Sequence, residues 1–339
     1  MKLPINRKFI PIIATIVVAL FLYFAVGLRY TGFISLRVFV NFFIDNAFLG
    51  IIAVGMTFVI LSGGIDLSVG SMVAFTGVMT AFLIEKQHIH PLLAIGVSLF
   101  LGSLIGFLMG SMIHYFKAAP FIVTLTGMFF CRGLANIISL ESIPINNDFF
   151  KQLTRLGAVL PGNIKVPAIV FIFFFVFIVG IYLAHFTKYG RNVYALGGNS
   201  QSALFMGLPI GRTKLLVYTM SGFLSALAGV VFTMYTSAGY GLSGLGLEMD
   251  AIASVVIGGT LLTGGVGYIA GTLIGVLIQG IIQTFITFDG TLSSWWTRIA
   301  IGLLLLIFIL LQRVFTRTSE QSKHSEASFG KLTEDRALV

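Results

Sequence analysis

Charged residues are scarce in this chain of 339 residues. Asp, Glu, Lys and Arg make up only 10% of it, whereas 57% is hydrophobic and the mean hydropathy is +1.01. Too few polar side chains remain to cover a globule of this size with groups that face water, so the chain needs lipid as a solvent. The composition therefore predicts a membrane protein.

Cysteine is almost absent, and histidine is sparse. The one cysteine, Cys131, can form neither an internal disulfide nor a multi-cysteine metal site. The five histidines are scattered, and His88 and His90 are predicted to be solvated loop residues rather than ligands. Neither a metal site nor redox chemistry is expected.

Sequence motifs for nucleotide binding and catalysis are missing. No G-x-x-x-x-G-K-[S/T] occurs, because Gly330-Lys331 is followed by Leu332 in a polar tail. The chain is therefore not expected to bind ATP in the P-loop manner. No nucleophile-base-acid constellation is visible, so neither an enzyme nor a cofactor is expected. The net charge of +9 comes from basic residues at loop ends, without interleaved aromatics, which argues against nucleic acid as a partner.

Long apolar runs, in contrast, are plentiful. Most hold about 17 to 25 residues, enough at about 1.5 Å per residue to cross a hydrocarbon core of about 30 Å. We predict an all-α polytopic membrane protein with one transmembrane domain over 1–316 and a disordered cytoplasmic tail over 317–339. About ten transmembrane helices are predicted, near 9–28, 46–61, 67–84, 91–113, 120–140, 166–186, 215–236, 251–262, 266–286 and 297–312. Pro91, Pro120 and Pro167 stand in the first turns of three of them.

The distribution of basic residues predicts the orientation. With a cytoplasmic N-terminus, 13 of the 21 Lys and Arg residues fall in cytoplasmic segments, seven in external ones, and Arg132 within a helix. This excess of positive charge inside favours two cytoplasmic termini.

One sequence pattern occurs twice, 201 positions apart. LSGGI over 61–65 is followed by Gly70, and LTGGV over 262–266 is followed by Gly271. Both copies interrupt apolar segments. Paired glycine-broken segments are typical of transporters built from two repeat halves, with the pathway at the interface between the halves. In a chain with 39 glycines, chance similarity is the alternative.

Asp66 lies between two apolar runs, where a carboxylate is costly unless it finds donors. Ser62 and Ser68 stand where they can cap the flanking helices. Asp66 is then either a contact for the substrate or a helix cap that holds a re-entrant turn.

Arg132 lies about 18 Å into the helix that begins at Pro120, and it is expected to face the protein interior. It either steers a polar substrate or ties helices together through a carboxylate or backbone carbonyls. Snorkelling toward the outer surface is a further alternative.

The loop over 187–214 is predicted to be cytoplasmic. Within it, 199–207 is predicted as a short helix, the only one in an internal cytoplasmic segment, with Ser200 at its N-cap and Gly207 after its C-terminus. Its apolar residues are expected to face the cytoplasm and to form either a docking surface for a partner or a helix on the lipid surface. The predicted coupling residues are Asn199, Ala203, Leu204, Phe205, Met206 and Gly207.

Four stretches carry a family resemblance. FVILSGGIDLSVG over 58–70, TLTGM with RG over 124–133, YALGGN over 194–199 and DAIASVVIGG over 250–259 resemble the signatures of ABC sugar permeases of the ribose, xylose and galactose type. Within that family, ESIPIN and FDGTLSSWW, at 141–146 and 288–296, are similar to bacterial galactofuranose permeases.

The resemblance implies a type-II-like importer fold in a bacterial inner membrane. It also implies a periplasmic sugar-binding protein, a cytoplasmic ATPase that binds ATP and contacts 199–207, and a second permease subunit in a homodimer or heterodimer. An ion-coupled secondary transporter or a channel is the rival, and it would be expected to carry more intramembrane carboxylates than Asp66 alone.

A sugar path is expected between the two glycine-broken repeats. Small and polar residues should line it, because they let hydroxyl groups pass without trapping them. The candidates are Asn46, Ser62, Ser68 and Thr126 as polar lining, Phe75 and Phe129 as stacking faces, and Asp66 and Arg132 as charged groups.

Overall fold

The computed structural model describes residues 10–293 and 295–313, and these are mostly helical. The predicted tail over 317–339 lies outside them. The helices are α1 (Ile10–Arg29), α2 (Leu36–Asp45), α3 (Ala47–Leu61), α4 (Val69–Glu85), α5 (Pro91–Tyr115), α6 (Pro120–Ile138), α7 (Asp148–Arg155), α8 (Ala168–Phe186), α9 (Lys188–Gly198), α10 (Ser200–Phe205), α11 (Ile210–Thr236), α12 (Leu247–Ile257), α13 (Ile269–Asp289) and α14 (Trp295–Arg313).

Seven of these helices are long and apolar enough to cross a membrane, namely α1, α5, α6, α8, α11, α13 and α14. An eighth span arises if α2 and α3, which are bent by 55°, are taken as one. The all-α polytopic prediction is thus confirmed, but the count of ten is loose. The other two predicted spans form α4, with 17 residues, and α12, with 11.

Several boundaries differ from the predicted ones. Helices α2, α7 and α9 were not predicted, and α9 shows that 199–207 is not the only helical part of the 187–214 loop. Helix α11 begins at Ile210 rather than near 215, and α12 ends at Ile257 rather than near 262. Pro167 ends a strand and caps α8 instead of standing in its first turn, whereas Pro91 and Pro120 do begin helices.

The centre of the bundle is formed by α3, which is packed against α11, α8, α12 and α13. Every residue of α3 except Phe48 is buried. A helix that is hydrophobic on all sides must be surrounded by protein or lipid, and here the neighbours are other helices. Helix α11 in turn crosses α5 at small residues, since a Cβ added to Gly222 would lie 2.4 Å from the carbonyl oxygen of Gly102. Small residues allow membrane helices this close an approach.

The bundle has two distinct ends, which α11 connects over 27 residues, or about 40 Å of helix. At the hairpin end, strand β1 (Ile143–Pro144) pairs with β4 (Ala238–Gly239), and β2 (Gly157–Leu160) pairs with β3 (Ile164–Pro167), both antiparallel. At the α10 end lie α9, α10 and the breaks after α3 and α12. The polar connections therefore gather at the two ends, as expected of a membrane bundle.

Candidate functional site

The two copies of the glycine pattern meet in the structure. The backbone N–H of Gly265 donates a hydrogen bond of 2.9 Å to the carbonyl oxygen of Leu61. A Cβ added to Gly264 would lie 2.9 Å from the backbone nitrogen of Gly63. Gly63, Gly264 and Gly265 all have φ between +74° and +86°, a region that favours glycine. The break after α3 and the break after α12 are therefore in direct backbone contact.

A third glycine pair, from α9, completes this contact. A Cβ added to Gly197 would lie 1.8 Å from the carbonyl oxygen of Leu61, and one added to Gly265 would lie 2.6 Å from the Cα of Gly198. A side chain at Gly197 or Gly265 would therefore separate the segments, whereas a Cβ at Gly198 would meet nothing within 4 Å. We call this group the glycine junction, and it consists of Gly63, Gly197, Gly198, Gly264 and Gly265.

Asp66 lies beside the junction and is buried, with 1% of its surface exposed. Its Oδ1 accepts hydrogen bonds from the backbone N–H of Ser68 (2.9 Å) and from the hydroxyl of Ser68 (2.6 Å). Its Oδ2 accepts one from the hydroxyl of Ser221 on α11 (2.7 Å). These contacts hold the turn that leads into α4 and attach it to α11, which favours the structural alternative for this carboxylate, although Ser68 rather than Asp66 is the N-cap residue of α4.

Arg132 reaches from α6 to the connection between β4 and α12. Its Nη1 donates hydrogen bonds to the carbonyl oxygens of Gly241 (2.6 Å) and Ser243 (2.7 Å). The side chain is half-buried. Of the alternatives for this residue, the structure favours the tie through backbone carbonyls.

The remaining candidates for the sugar path are dispersed. Phe75 is buried in the core, whereas Thr126 and Phe129 are exposed on the outer face of α6. Ser62 bonds to its own helix, at the carbonyl oxygen of Val59. Asn46 is buried at the bend between α2 and α3. These residues do not face one common space, because some point into the core and others away from the bundle.

Helix α10 is short but firmly capped. Asn199, and not Ser200, is its N-cap, and the Asn199 side chain accepts a hydrogen bond from the N–H of Ser202. At the other end Gly207 has φ +73°, and the N–H groups of Gly207 and Leu208 bond to the carbonyls of Leu204 and Ala203. This is a Schellman motif, which satisfies the last carbonyls of a helix.

The surface of α10 is apolar. Leu204, Phe205 and Met206 are 61%, 88% and 67% exposed. Ala203 does not share this exposure, contrary to expectation, because it is buried against the rest of the chain. The capped helix thus presents three large exposed apolar side chains, and Ala203 packs it against the rest of the chain.

Tyr194 links α9 to the second break. Its hydroxyl donates a hydrogen bond of 2.7 Å to the carbonyl oxygen of Gly267. Burial raises the pKa of the Tyr194 phenol to about 12, so the group stays protonated and remains a donor at neutral pH. Helix α9 therefore connects α10 to the glycine junction.

Sequence reasoning missed the roles of Gly197, Gly198 and Tyr194. All three lie in YALGGN, a stretch that the family resemblance had already singled out. The Gly-Gly step in this stretch resembles the Gly-Gly steps in the two copies of the glycine pattern, and this likeness was the sequence signal for its role.

Comparison with known proteins identifies the family to which this helical bundle belongs. The family model described as "Branched-chain amino acid transport system / permease component" matches residues 38–309, which is most of the chain. The chain belongs to this family. It is accordingly a multi-pass membrane protein and a transport component rather than an enzyme.

Individual relatives align over most of their length. The inner membrane ABC transporter permease protein YjfF of Escherichia coli (strain K12) is 53% identical over 94% of this chain and 96% of its own. The fructose import permease protein FruG of Bifidobacterium longum is 38% identical over 91% of this chain and 92% of FruG. The ribose import permease protein RbsC of Escherichia coli (strain K12) is 38% identical over 77% of this chain and 81% of RbsC. No solved structure matches the chain.

Proposed function

We propose that this chain is the membrane-spanning permease subunit of an ABC sugar importer in a bacterial inner membrane. It passes a monosaccharide into the cytoplasm, and a separate ATPase subunit hydrolyses the ATP. Both termini and the α10 end are cytoplasmic, and the hairpin end faces the periplasm, where a soluble sugar-binding protein delivers the sugar. The names of the ribose and fructose import relatives support the sugar class.

The apolar surface of α10 is the observation that carries this proposal. Leu204, Phe205 and Met206 project from a capped helix that is joined through α9 to the glycine junction. A partner that binds α10 can therefore displace the break after α3 and the break after α12 in the membrane domain. A helix that merely rests on lipid would not need this rigid connection. The absence of a P-loop from the sequence fits an ATPase on another chain.

The transported sugar is proposed to be galactofuranose. ESIPIN over 141–146 and FDGTLSSWW over 288–296, which resemble galactofuranose permeases, support this choice. Residues 141–146, 288–293 and 295–296 lie at the hairpin end, the end that is proposed to meet the sugar-binding protein. A second permease subunit, identical or related, completes the transporter.

Uptake by the reconstituted system tests the proposal. The chain is co-expressed with an ATPase, a binding protein and a related permease from the same genome, and radiolabelled galactose, ribose, fructose and leucine are supplied. We expect co-purification with the ATPase and ATP-dependent uptake of a monosaccharide, with the furanose form of galactose as the preferred competitor. Uptake without the ATPase that follows the proton gradient would support the secondary transporter instead, and uptake of leucine alone would contradict the sugar class.

A further inference from the structure

Three buried hydroxyl groups have no hydrogen-bond partner among the residues that the structure describes. They belong to Tyr189, Tyr218 and Thr260. All three lie at the α10 end, in or beside the segments that form the glycine junction. Tyr189 lies on α9, and a Cβ added to Gly64 would overlap the hydroxyl of Tyr218, as one added to Gly267 would overlap that of Thr260. Unpaired buried donors are therefore concentrated where the two breaks meet.

Tyr218 on α11 is the largest of these residues, and only 2% of its surface is exposed. A buried hydroxyl without a partner is destabilising, because it gives up hydrogen bonds to water and gains none from the protein. Phenylalanine, which the chain uses 33 times, would fill nearly the same space without this cost. The hydroxyl therefore indicates a second arrangement of the protein, in which it is bonded.

The carboxylate of Asp66 is an acceptor beside this hydroxyl. Gly64, which the hydroxyl of Tyr218 contacts, precedes Asp66 by two residues, and the carboxylate is close enough to interact with the hydroxyl electrostatically. A carboxylate offers about four acceptor positions. Ser68 uses two of them on Oδ1, and Ser221 uses one on Oδ2. One position on Oδ2 therefore remains for a further donor from the described residues.

Helix α11 presents two donors on the face that meets this carboxylate. Tyr218 and Ser221 are three residues apart and so are neighbours on the helix, but only Ser221 donates to Asp66 (2.7 Å). Helix α11 is continuous over 27 residues and is joined to α10 by residues 206–209. The turn over 62–68 that carries Asp66 is not helical. A displacement of α11 past this turn can therefore bring the second donor to the remaining acceptor position.

We propose that Tyr218 is the second donor of a conformational switch in the transporter. Its hydroxyl is unbonded in the nucleotide-free transporter, which has the arrangement described here. It donates to Oδ2 of Asp66 after the ATPase has bound ATP and displaced α10 and α11, and this bond stabilises the displaced arrangement. The inference rests on the proposed function for the cause of the displacement.

Tyr218→Phe and Ser221→Ala form a matched pair, because each removes one hydroxyl from the same face of α11. Each variant is assembled with the ATPase and the other subunits. The Tm of the complex is measured without nucleotide and after trapping with ATP and orthovanadate. Without nucleotide, Tyr218→Phe should keep or raise the Tm, whereas Ser221→Ala should lower it, because a bond already present is lost. In the trapped complex, Tyr218→Phe should lower the Tm by at least about 1 °C.

Uptake supplies the second measurement. We expect Tyr218→Phe to reduce the uptake rate at least about threefold, with unchanged binding of the ATPase, because the displaced arrangement loses one hydrogen bond. In an Asp66→Ala background, where the acceptor is missing, Tyr218→Phe should cause no further loss of uptake. A further loss in that background would overturn Asp66 as the acceptor.

Two results for the Tm would overturn the switch. If Tyr218→Phe lowered the Tm without nucleotide as much as Ser221→Ala does, the hydroxyl would already be bonded there, for example to a buried water. If Tyr218→Phe left the Tm of the trapped complex unchanged, no bond would form in that state.

Failure of the proposed function is a separate outcome. If uptake needed no ATPase and followed the proton gradient, the chain would not be the subunit of an ATP-driven importer. Lower uptake by Tyr218→Phe at an unchanged Tm would then still support a switch at Asp66. Unchanged uptake by this variant would overturn the switch as well.

Discussion

The hydroxyl of Tyr194 on α9 donates a hydrogen bond of 2.7 Å to the carbonyl oxygen of Gly267, in the break before α13. One side chain therefore connects the helix next to α10 with the break between α12 and α13. Because the glycine junction lies beside this bond, we expect a displacement of α9 to move both the break after α3 and the break after α12.

Tyr194→Phe should weaken this connection. The loss of one hydrogen bond costs about 1 kcal/mol, so the protein should fold and still bind its ATPase. Uptake should fall relative to ATP hydrolysis, because part of the movement of α9 is no longer transmitted. The measurement is the ratio of sugar transported to ATP hydrolysed in proteoliposomes. Tyr182→Phe, at an exposed tyrosine of α8, serves as the control and should leave this ratio unchanged.

The burial of the Tyr194 phenol predicts a pH dependence. The folded protein holds the pKa of Tyr194 at about 12, above its usual value of 10.0, so folding favours the protonated phenol. The stability contributed by this group should be constant at neutral pH and should decline as the pH rises from about 10 toward about 12. Thermal unfolding in detergent should therefore show a smaller difference between wild type and Tyr194→Phe at pH 11 than at pH 8. An equal difference at both pH values would contradict the assignment.

Gly197→Ala and Gly198→Ala form a matched pair within the glycine junction. The new Cβ at 197 would lie 1.8 Å from the carbonyl oxygen of Leu61, whereas a Cβ at 198 meets nothing within 4 Å. Gly197→Ala should destabilise the protein by about 3 kcal/mol or more, since backbone must move on both sides. Gly198→Ala should be neutral or slightly stabilising, by up to about 1 kcal/mol. The two variants are compared by their yield of monodisperse protein and by their Tm. Equal effects of Gly197→Ala and Gly198→Ala on these quantities would argue against the glycine junction.

This pair of glycines also illustrates how much of the molecule the sequence predicts. Apolar runs predict the long helices, because length and hydropathy are local properties of the chain. The short α10 was predicted for the same reason, from its apolar residues and from Gly207. Nothing local distinguishes Gly197 from Gly198, however. The difference arises from the carbonyl of Leu61, more than a hundred residues away, and becomes visible only when the chain is folded.

The bend at Asn46 was unpredictable for a related reason. Asp45 and Asn46 interrupt the apolar residues where the helix over 46–61 is predicted to begin, but no proline marks the position, and α2, which meets α3 at an angle of 55°, was not predicted. A polar cavity of about 280 Å³ near the hairpin end draws its lining residues from α2, α3, α12, α13 and α14, so its existence depends on the packing of these five helices. The sequence drew attention to Asn46, but Gln279 and Gln283 gained significance only from the geometry.

Asp66→Ala should reveal whether this carboxylate is structural. Its removal leaves the hydroxyl of Ser221 and the N–H of Ser68 without their acceptor in a buried site, which costs about 1–3 kcal/mol for each group. We expect a lower Tm, with an unchanged KM for sugar in the protein that remains folded. Thr126→Ala, at an exposed hydroxyl bonded to its own helix, should alter neither quantity. A raised KM without a lower Tm would restore the alternative in which Asp66 contacts the substrate.

Arg132→Met should loosen the connection that precedes α12. Two short hydrogen bonds to Gly241 and Ser243 are lost, and bonds from charged groups contribute about 1.5–3 kcal/mol each. Hydrogen exchange should accelerate at least about tenfold over 240–247, while the exposed Arg155→Met leaves this segment unchanged. Unaltered exchange in Arg132→Met would show that the tie does not hold this segment in place.

The apolar surface of α10 gives the sharpest test of energy coupling. Phe205→Asp places a charge at the most exposed of its three large side chains, which is 88% exposed in the isolated chain. If the ATPase covers this residue, the carboxylate becomes buried without a partner and binding weakens by several kcal/mol. The variant should therefore insert into the membrane and keep its Tm, but lose both ATPase association and uptake.

Gln201→Asp is the matched control for Phe205→Asp, because it adds the same charge to an exposed polar position of the same helix. Exposed charges typically contribute no more than about 1 kcal/mol, so association and uptake should stay near the wild-type level. If both variants lost uptake equally, the charge of α10 would matter rather than its apolar surface. If Phe205→Asp instead kept uptake and its ATPase, α10 would be a helix on the lipid surface, because a carboxylate at that position would never have been covered by protein.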